Sequence, residues 1–516
     1  MNKPIFKKTL LALLVIPAFF YFSNDKEDNA MVLEDPNSNY CSAIDLHSKT
    51  SLSEQLSVVS EEMKTKTGVY VLEQGAEAML TRAWLSDNAE KTIDVQYFIF
   101  STDNIGIIAI DYLIRAADRG VKVRLLIDDL MIETDEKQLL RLNKHPNISI
   151  KIYNPNINIG KNISKKIFNL VTDFHGFNQR MHNKTFTVDG KVAITGGRNI
   201  ADEYFGYDHE YNFRDRDVLL LGKKTNLIQD SFNTFWNDEL SVPVDKVLKI
   251  EIDLSNDFND FHQYACNPEN FLPVIRKQIE DMPEVFDAMR KAGEMEWIDN
   301  VEYITDLPGK NNNEEFLGGS GISTEKLIQL VKSAKKSITI QTPYLVTTDL
   351  GKSLMREAVN KGVVVNILTN SIASNDNLEA FSGYQRDRER LLETGVNIFE
   401  FKPDAKIRQK VMSEELQKKL DHVPIFGLHA KSMVIDGEIT VIGTFNLDPR
   451  SANLNTESIV VIPSIEISKE VEEGMFIEMQ SENAWKITKE WNPDSTASKI
   501  KQLKIKSRRI VPKSIL

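Results

Sequence analysis

The chain has 516 residues, of which 41% are hydrophobic and 27% charged, so we expect a globular protein built as two large units or as a duplicated fold. Its net charge of −12 argues against a general nucleic-acid-binding protein, because such proteins usually carry an excess of basic residues. The two cysteines, Cys41 and Cys266, are too few for a disulfide framework or a zinc site, and the sequence leaves open whether they pair.

Residues 1–22 have the pattern of an export signal or a membrane anchor. Lysines up to Lys8 precede an apolar run from Leu10 to Phe22, which is short for a full membrane span. The positive-inside rule keeps these lysines in the cytoplasm and predicts that the body of the chain crosses the membrane. Whether the segment is cleaved stays open, and a buried apolar helix is the alternative.

After an N-terminal extension at 23–67, segments with the patterns of strands and helices alternate along the chain. In the first half we predict strands at 69–72, 92–100 and 121–127 and helices at 76–87 and 105–117. In the second half we predict helices at 324–334 and 351–360 and strands at 337–342 and 363–368. Helices that alternate with apolar strands are typical of an α/β fold.

The second half of the chain repeats the first. The segment 93–96 matches 338–341 at an offset of 245, and 119–123 matches 361–365 at an offset of 242. Such a repeat predicts two duplicated α/β lobes with mixed sheets, packed against each other about a pseudo-twofold axis. The predicted units are a first lobe at 68–305 with a helical insertion at 245–300, a linker at 306–322, a second lobe at 323–490 and a basic tail at 491–516. A basic tail is usually solvated, and in an anchored enzyme it can also lie on anionic headgroups.

A longer motif also occurs twice. His182-x-Lys184 is followed by Asp189-Gly190 and then by Asn199, and His429-x-Lys431 is followed by Asp436-Gly437 and then by Asn446. The distance from histidine to asparagine is 17 residues in both copies, and an apolar strand lies between the charged groups each time. A single His-x-Lys arises readily by chance, but two full copies at equal spacing predict a site.

These residue types suit phosphoryl transfer. Residues i and i+2 of a strand face the same side, so each histidine and its lysine are expected to share one pocket. One neutral imidazole can attack phosphorus while the second, protonated, donates to the leaving oxygen. We predict that Lys184, Lys431, Asn199 and Asn446 bind the phosphate oxygens, with no metal or other cofactor. Asp189 and Asp436 belong to the predicted catalytic set, although their position on a turn favours bracing over proton transfer.

Each histidine is expected to need a carboxylate that orients it. Asp217 and Glu457 each precede an apolar strand that follows one copy of the motif. We therefore predict that Asp217 orients His182 and that Glu457 orients His429. The alternative is that both residues cap strands.

Together these motifs resemble the two HKD motifs of the phospholipase D superfamily, over residues 68–490. The segments 128–130, 197–205 and 446–457 look like those of bacterial cardiolipin synthases, in particular the C-type. The resemblance implies phosphatidyl transfer through a phosphohistidine, with His182 as nucleophile and His429 as acid. The acceptor would be phosphatidylglycerol, the donor phosphatidylethanolamine or phosphatidylglycerol, and the product cardiolipin.

The resemblance also implies an enzyme of the bacterial cell envelope. It would associate with the inner membrane, with its catalytic body on the periplasmic side and phospholipids and the membrane surface as partners, and no nucleic acid is expected. The duplication suggests that a monomer forms one complete site. A secreted phospholipase D that hydrolyses lipids to phosphatidic acid, a phosphodiesterase or nuclease of the same superfamily, and an inactive membrane scaffold are the alternatives.

Overall fold

The computed structural model describes residues 51–133, 136–155, 178–249, 257–271, 273–292, 294–310, 321–412 and 422–516. The predicted export or anchor segment and most of the predicted linker lie outside these residues. Cys266 is buried and disulfide-bonded. Cys41, the other cysteine of the sequence, lies outside the described residues. No helix within the described ranges is long and apolar enough to span a membrane.

The strands in the described part of the chain are numbered in chain order. They are β1 Thr67–Leu72, β2 Thr92–Ser101, β3 Lys122–Glu133, β4 Ile148–Tyr153, β5 Thr185–Val188, β6 Val192–Gly196, β7 Tyr211–Arg214, β8 Asp217–Gly222, β9 Ser241–Pro243, β10 Glu296–Ile298, β11 Glu302–Thr305, β12 Ser337–Gln341, β13 Val364–Asn370, β14 Asn397–Phe401, β15 Ile425–Leu428, β16 Ser432–Ile435, β17 Ile439–Gly443, β18 Ser458–Ile462 and β19 Ala484–Ile487.

The α-helices of the same residues are numbered likewise. They are α1 Leu52–Gln55, α2 Ser60–Thr65, α3 Gly75–Asn88, α4 Asn104–Asp118, α5 Glu136–Leu142, α6 Asp202–Phe205, α7 Thr225–Asn237, α8 Val244–Val247, α9 Asn259–Cys266, α10 Pro273–Glu280, α11 Met282–Ala292, α12 Ile322–Ser333, α13 Asp349–Asn360, α14 Leu378–Leu392, α15 Arg408–Val411, α16 Pro449–Asn453, α17 Ile465–Glu478 and α18 Lys499–Ser507.

Local sequence explains where these elements begin and end. Helix α4 begins where the Asp103 side chain accepts a hydrogen bond from Gly106 N, and it is followed by Gly120 at a φ of 97°. In the repeat, α13 begins at the Thr348 cap and is followed by Gly362 at a φ of 87°. The predicted elements of both halves occur within two residues of their expected bounds, except that β3 extends six residues further, to Glu133.

Two large mixed sheets form the cores of the two lobes. The first has the order β10-β1-β8-β6-β5-β2-β3-β4-β9 and the second β11-β18-β17-β16-β12-β13-β14-β19. From β1 and β11 onward, the two orders correspond strand for strand. Parallel pairs, such as β2 with β3 and β12 with β13, occur beside antiparallel pairs in both sheets. The predicted fold of two duplicated α/β lobes with mixed sheets is confirmed.

The lobes pack against each other through a shared apolar layer. Buried side chains from the first sheet, among them Val218 and Leu220, form one cluster with Val460 and Ile462 from the second. Burial of this apolar layer stabilises the junction of the lobes. The two copies of the motif lie at this junction.

Candidate active site

Each motif is held by the opposite lobe. The backbone N–H of His182, just before β5, donates to Thr456 O of the second lobe at 3.0 Å, and Thr456 N donates to Arg180 O at 2.9 Å. His429 follows β15, which pairs in parallel with β7 of the first lobe, and His429 N donates to Arg214 O at 2.8 Å. The segments that carry the two histidines therefore connect the lobes through backbone hydrogen bonds. The motif histidines and lysines precede strands β5 and β16 and are not within them.

A buried polar side chain anchors the residue before each histidine. Asp128 Oδ2 accepts from Met181 N at 2.7 Å, and Asn370 Oδ1 accepts from Leu428 N at 2.8 Å. Asp128 and Asn370 occupy corresponding positions in β3 and β13. These anchors restrain the backbone that carries the imidazoles.

The carboxylates that contact the two histidines come from the opposite lobes. His182 Nδ1 lies 2.8 Å from Glu457 Oε2, and His429 Nδ1 lies 2.5 Å from Asp215 Oδ2. The prediction that Glu457 orients His429 and Asp217 orients His182 is therefore wrong. Asp217 instead accepts from Arg82 Nη2 at 2.8 Å and from Arg198 N at 3.2 Å, so it binds arginines inside the first lobe.

Strand register explains this error. Asp217 pairs with Gly196 in the first sheet, and Ile459 pairs with Gly443 in the second. Asp217 therefore corresponds to Ile459, and the residue that corresponds to Glu457 is Asp215. Sequence reasoning missed Asp215 because two acidic residues two positions apart fit the same pattern, and only the ladder distinguishes them.

Gly197 follows the first motif and lies against the carboxylate of Asp215. A Cβ at this position would lie 2.0 Å from Asp215 Oδ1. A side chain here would displace the carboxylate that holds His429, so the close approach requires glycine.

The two lysines lie beside their own histidines, although these residues lie outside the strands in which the His-x-Lys spacing predicted them. Lys184 Nζ donates to His182 O at 2.7 Å. Lys431 Nζ donates to His429 O at 2.5 Å and lies 3.2 Å from His429 Nε2. All four side chains are buried, and the charge of Lys431 acts on both His182 and Lys184. The two motifs thus form one centre.

Burial controls the charge of these groups. It lowers the pKa of Lys184 to about 7 and that of Lys431 to about 8, although nearby carboxylates counteract the effect. Burial, with the positive charge of Lys184 and Lys431, lowers the pKa of His182 well below its usual value. Burial and Lys431 also lower the pKa of His429 to about 4, against the opposing effect of Asp215. Both imidazoles are therefore neutral at pH 7 in the free protein.

The two carboxylates shift in opposite directions. Burial raises the pKa of Glu457 to about 7, and Lys184 counteracts it only in part. Burial also opposes ionisation of Asp215, but at acidic pH, where His429 is protonated, the charge and hydrogen bond of His429 outweigh burial and hold the pKa of Asp215 below its usual range. The partner of His429 is therefore an ionised carboxylate, while that of His182 is close to half protonated at neutral pH.

The predicted asparagines lie in the site with different contacts. Asn199 Oδ1 accepts from Ile99 N at 3.1 Å, so part of its amide already binds the backbone. Asn446 is buried, and its side-chain oxygen has no hydrogen-bond partner among the described residues. The Asn446 oxygen is thus an unused acceptor among these residues, while its amide N–H groups are the part of the side chain that can donate to a phosphate oxygen.

Asp189 and Asp436 are remote from the imidazoles in their contacts. The Asp189 carboxylate accepts from the backbone N–H groups of Glu90, Lys91 and Thr92. Asp436 accepts from the same kind of N–H groups at 335–337. Both residues have a positive φ, 53° and 56°, which suits aspartate in a tight turn. The carboxylates of Asp189 and Asp436 therefore contact a backbone turn and not the imidazoles, which does not support their place in the predicted catalytic set, and the bracing role stays a prediction.

A cluster of aromatic and acidic side chains, here called the mouth, adjoins His429 and consists of Tyr204, Phe213, Tyr344 and Asp376. The rings of Phe213 and Tyr204 lie 4.8 Å and 5.0 Å from the imidazole of His429. Beyond them, Tyr344 Oη donates to the exposed carboxylate of Asp376 at 2.8 Å. Phe98 lies 5.0 Å from His182 on the other side. Sequence reasoning missed this mouth because its residues share no motif.

Arg450 links the site to the C-terminus of the chain. Its guanidinium donates to Asn178 Oδ1 at 2.9 Å, and its positive charge contributes to lowering the pKa of His182. Arg450 N donates to Leu516 O at 3.2 Å, and Arg450 Nη1 donates to Ile515 O at 3.3 Å. The last residues of the chain therefore position a cationic side chain near the two motifs.

Two duplicated lobes with a His-x-Lys pair at their junction define a protein of the phospholipase D superfamily. A family model described as "Cardiolipin synthase, PLD-like domain" matches residues 85–236 and 327–477, and the chain belongs to this family. It is 34% identical to cardiolipin synthase C of Escherichia coli (strain K12), over 81% of this chain and 86% of that protein. It is 31% identical to an uncharacterized protein of Helicobacter pylori (strain J99), over 89% and 88%.

A solved structure has the same fold. Phosphatidylserine synthase of Haemophilus influenzae Rd KW20 matches with a TM-score of 0.57 at 16% identity, over 90% of this chain and 100% of that chain. Membership of this family identifies an enzyme that modifies phospholipids.

Proposed function

We propose that this protein makes cardiolipin by moving a phosphatidyl group onto phosphatidylglycerol, with a phosphohistidine at His182 as intermediate. The observation that carries the proposal is the pair of His–carboxylate contacts at one centre, 2.8 Å at His182 and 2.5 Å at His429. With Nδ1 bound to a carboxylate, each imidazole presents Nε2 to the phosphate.

In the first step, Nε2 of His182 attacks the phosphorus of the donor. The P–N bond forms as the P–O bond to the donor's headgroup alcohol breaks, and His429 gives its Nε2 proton to the leaving oxygen. The ammonium groups of Lys184 and Lys431 and the amide of Asn446 hold the non-bridging oxygens. Because His429 is neutral in the free protein, it takes up this proton when the anionic phosphodiester binds.

In the second step, the glycerol hydroxyl of phosphatidylglycerol replaces the departed alcohol. His429 accepts the proton of that hydroxyl, its oxygen attacks phosphorus, and the P–N bond to His182 breaks. Cardiolipin leaves with the phosphatidyl group, and both imidazoles return to their starting states. Water in place of the hydroxyl would yield phosphatidic acid by the same route.

The assignment of roles rests on the two carboxylates. An ionised Asp215 stabilises a positive charge on His429, which suits the group that carries the proton. Glu457, with its pKa raised to about 7, supports a cationic His182 less well, so His182 stays an uncharged nucleophile. One chain supplies both imidazoles, so we propose that a monomer holds one complete site.

Asp376 supports phosphatidylethanolamine as the donor. The leaving alcohol departs on the His429 side, where Asp376 and the rings of Tyr204 and Tyr344 surround the mouth. A carboxylate with aromatic faces is a favourable environment for an ammonium group. A phosphatidylglycerol donor has no positive charge to place there.

A single assay tests this proposal. Purified protein is incubated with labelled phosphatidylglycerol, with and without phosphatidylethanolamine, and the lipids are separated. Cardiolipin formation that rises with phosphatidylethanolamine and releases ethanolamine is expected. Phosphatidic acid as the main product would show that the protein is a hydrolase and not a transferase. If no lipid product formed, a nuclease or an inactive scaffold would be the remaining explanations.

The donor is tested by Asp376→Asn. This variant should raise the KM for phosphatidylethanolamine about tenfold, the effect expected for loss of one partly exposed charge contact, and leave the KM for phosphatidylglycerol unchanged. Glu379→Gln, in the same segment but bound to Arg508 at 2.7 Å, is the matched control. If the KM values for both lipids changed equally, Asp376 would have no role in recognition of the headgroup.

We propose that the enzyme works in the cell envelope, with its catalytic body on the periplasmic side of the inner membrane. The basic and apolar pattern of residues 1–22 supports this location.

A further inference from the structure

Helix α18 places two large apolar side chains in solvent. Ile500 and Leu503 are each 69% exposed, whereas Ile505 on the opposite face is fully buried. Residues three apart lie on one side of a helix, so Ile500 and Leu503 form a continuous apolar ridge. A ridge of this kind is costly in water unless another apolar phase covers it.

Basic residues border this apolar ridge. Lys499 and Lys506 lie on one flank and Lys504 on the other, and all three are exposed. The last 20 residues contain seven basic residues and no acid, although the whole chain has a net charge of −12. The charge of α18 is therefore opposite to that of the body, which points to an anionic partner.

The helix is also attached to the rim of the active site. Lys501 Nζ donates to Ala373 O and Asn375 O, both at 3.1 Å, in the loop that leads to Asp376. Downstream of α18, the chain ends at Leu516, whose carbonyl accepts from Arg450 N. A surface that covers α18 would therefore lie next to the mouth beside His429.

We infer that the outer face of α18 docks on an anionic phospholipid bilayer, with Ile500 and Leu503 among the acyl chains and the flanking lysines on the headgroups. Interfacial helices combine an apolar side with lysines in this way. Docking here presents the mouth of the active site to the membrane. The inference rests on the proposed function, because a phospholipid transferase draws both substrates from a bilayer.

The docking is tested with an environment-sensitive fluorophore. The label is attached to Leu503→Cys in the full chain under non-reducing conditions, and phosphatidylglycerol-containing vesicles are added. A blue shift is expected that requires anionic lipid and weakens with salt. Lys499→Gln, Lys504→Gln and Lys506→Gln should each raise the lipid concentration needed about fivefold, as expected for one basic residue at an anionic surface.

Helix α17 supplies the matched control. Ile465 is 62% exposed, but its helix carries Glu466, Glu470 and Glu473, so a label at Ile465→Cys should not shift. Equal shifts at 465 and 503, or none at 503, would overturn the inference. A shift at 503 that grows with protein concentration in the absence of vesicles would replace the membrane with a second copy of the chain.

An activity measurement separates docking from chemistry. Ile500→Asn with Leu503→Asn should slow transfer on vesicles at least tenfold and leave the rate on short-chain, monomeric phospholipids unchanged. An equal loss on both substrates would overturn docking as the role of the ridge. If the unaltered protein transferred neither lipid, the proposed function would fail, and the fluorescence shift would still decide whether α18 binds the bilayer.

Discussion

His182 and His429 occupy matching places in the two lobes, yet their surroundings differ. His182 is held by Glu457, whose pKa burial raises to about 7, while His429 is held by Asp215, whose pKa its contact with His429 lowers. Among the described residues, the ring of Phe98 lies beside His182, whereas the rings of Tyr204 and Phe213 pack around His429. The two motifs are thus alike in sequence, and the residues around them give the two histidines different environments.

The difference shows how one repeated unit can supply both a nucleophile and an acid. The carboxylate of each pair comes from the other lobe, so neither lobe holds a working histidine alone. A substitution of one carboxylate therefore affects the histidine of the opposite lobe. The two histidines can thus be perturbed one at a time and their roles compared.

Removal of the two imidazoles should have the largest effects. His182→Ala should abolish phosphoprotein formation and lower the transfer rate by about 10⁴-fold or more, because the imidazole assigned to attack phosphorus is gone. His429→Ala should lose as much on natural lipids but keep a burst on a phosphatidyl ester of p-nitrophenol, whose leaving group needs no proton. Rapid-quench measurement with labelled donor checks both, and labelled phosphoprotein from His182→Ala would contradict the assignment.

The carboxylates should rank next. Asp215→Asn should lower kcat about 10³-fold, because His429 loses the charge that lets it carry a proton. Glu457→Gln should lower kcat only about tenfold, since Glu457 is already close to half protonated at neutral pH. Steady-state kinetics measure both variants, with Asp217→Asn as a control for folding through its arginine contacts. An equal loss of kcat in the two variants would contradict the unequal roles of Asp215 and Glu457.

Activity should fall on the alkaline side of neutrality. A lysine binds phosphate only when protonated, and burial lowers the pKa of Lys184 to about 7 and of Lys431 to about 8. The charge is present below these values and lost above them, so kcat/KM should begin to fall above pH 7 and should fall about 50-fold between pH 8 and pH 9 if both charges are required. Lys431→Arg, which keeps its charge, should make the fall shallower, because only Lys184 then loses its charge in this range. A profile that is flat to pH 10 would show that the lysines keep their usual pKa.

Arg450 provides a smaller difference between the lobes. The corresponding position after the first motif is Glu203, an acid in place of a base. Arg450→Ala should raise the KM for phosphatidylglycerol about tenfold, as expected for one lost charge-assisted contact, with little change in kcat. Deletion of 512–516 should do the same, because the C-terminal carbonyls hold Arg450. A deletion variant with unchanged KM would contradict this role.

The turn aspartates should affect stability and leave the chemistry nearly unchanged, equally in both lobes. Asp189→Ala and Asp436→Ala should each lower the free energy of unfolding by about 1–3 kcal/mol, because three backbone N–H groups lose an ionised acceptor. The positive φ of each residue adds to the cost. Denaturant unfolding measures the loss, and Asn at either position should restore part of it. A kcat reduced as strongly as in the histidine variants would return these residues to the catalytic set.

The sequence by itself determined the repeat, the element order and the members of both motifs. These features are local: strand and helix periodicities, a turn at Asp-Gly, and a constant spacing from histidine to asparagine are all readable along the chain. The α/β lobes and the grouping of His182, His429, Lys184 and Lys431 follow from them. The turn position of Asp189 was also readable, because the Asp-Gly pair after the strand suits a tight turn.

Only the tertiary structure decided which carboxylate meets which histidine. The choice between Asp215 and Asp217 depends on the register of β8 against β6, and a shift of two residues leaves the sequence pattern unchanged. The crossing of Glu457 to His182 depends on how the lobes dock, which apolar burial drives without specifying a motif. The mouth around Asp376 and the contact of Leu516 with Arg450 join segments far apart in the chain, so no local pattern contains them.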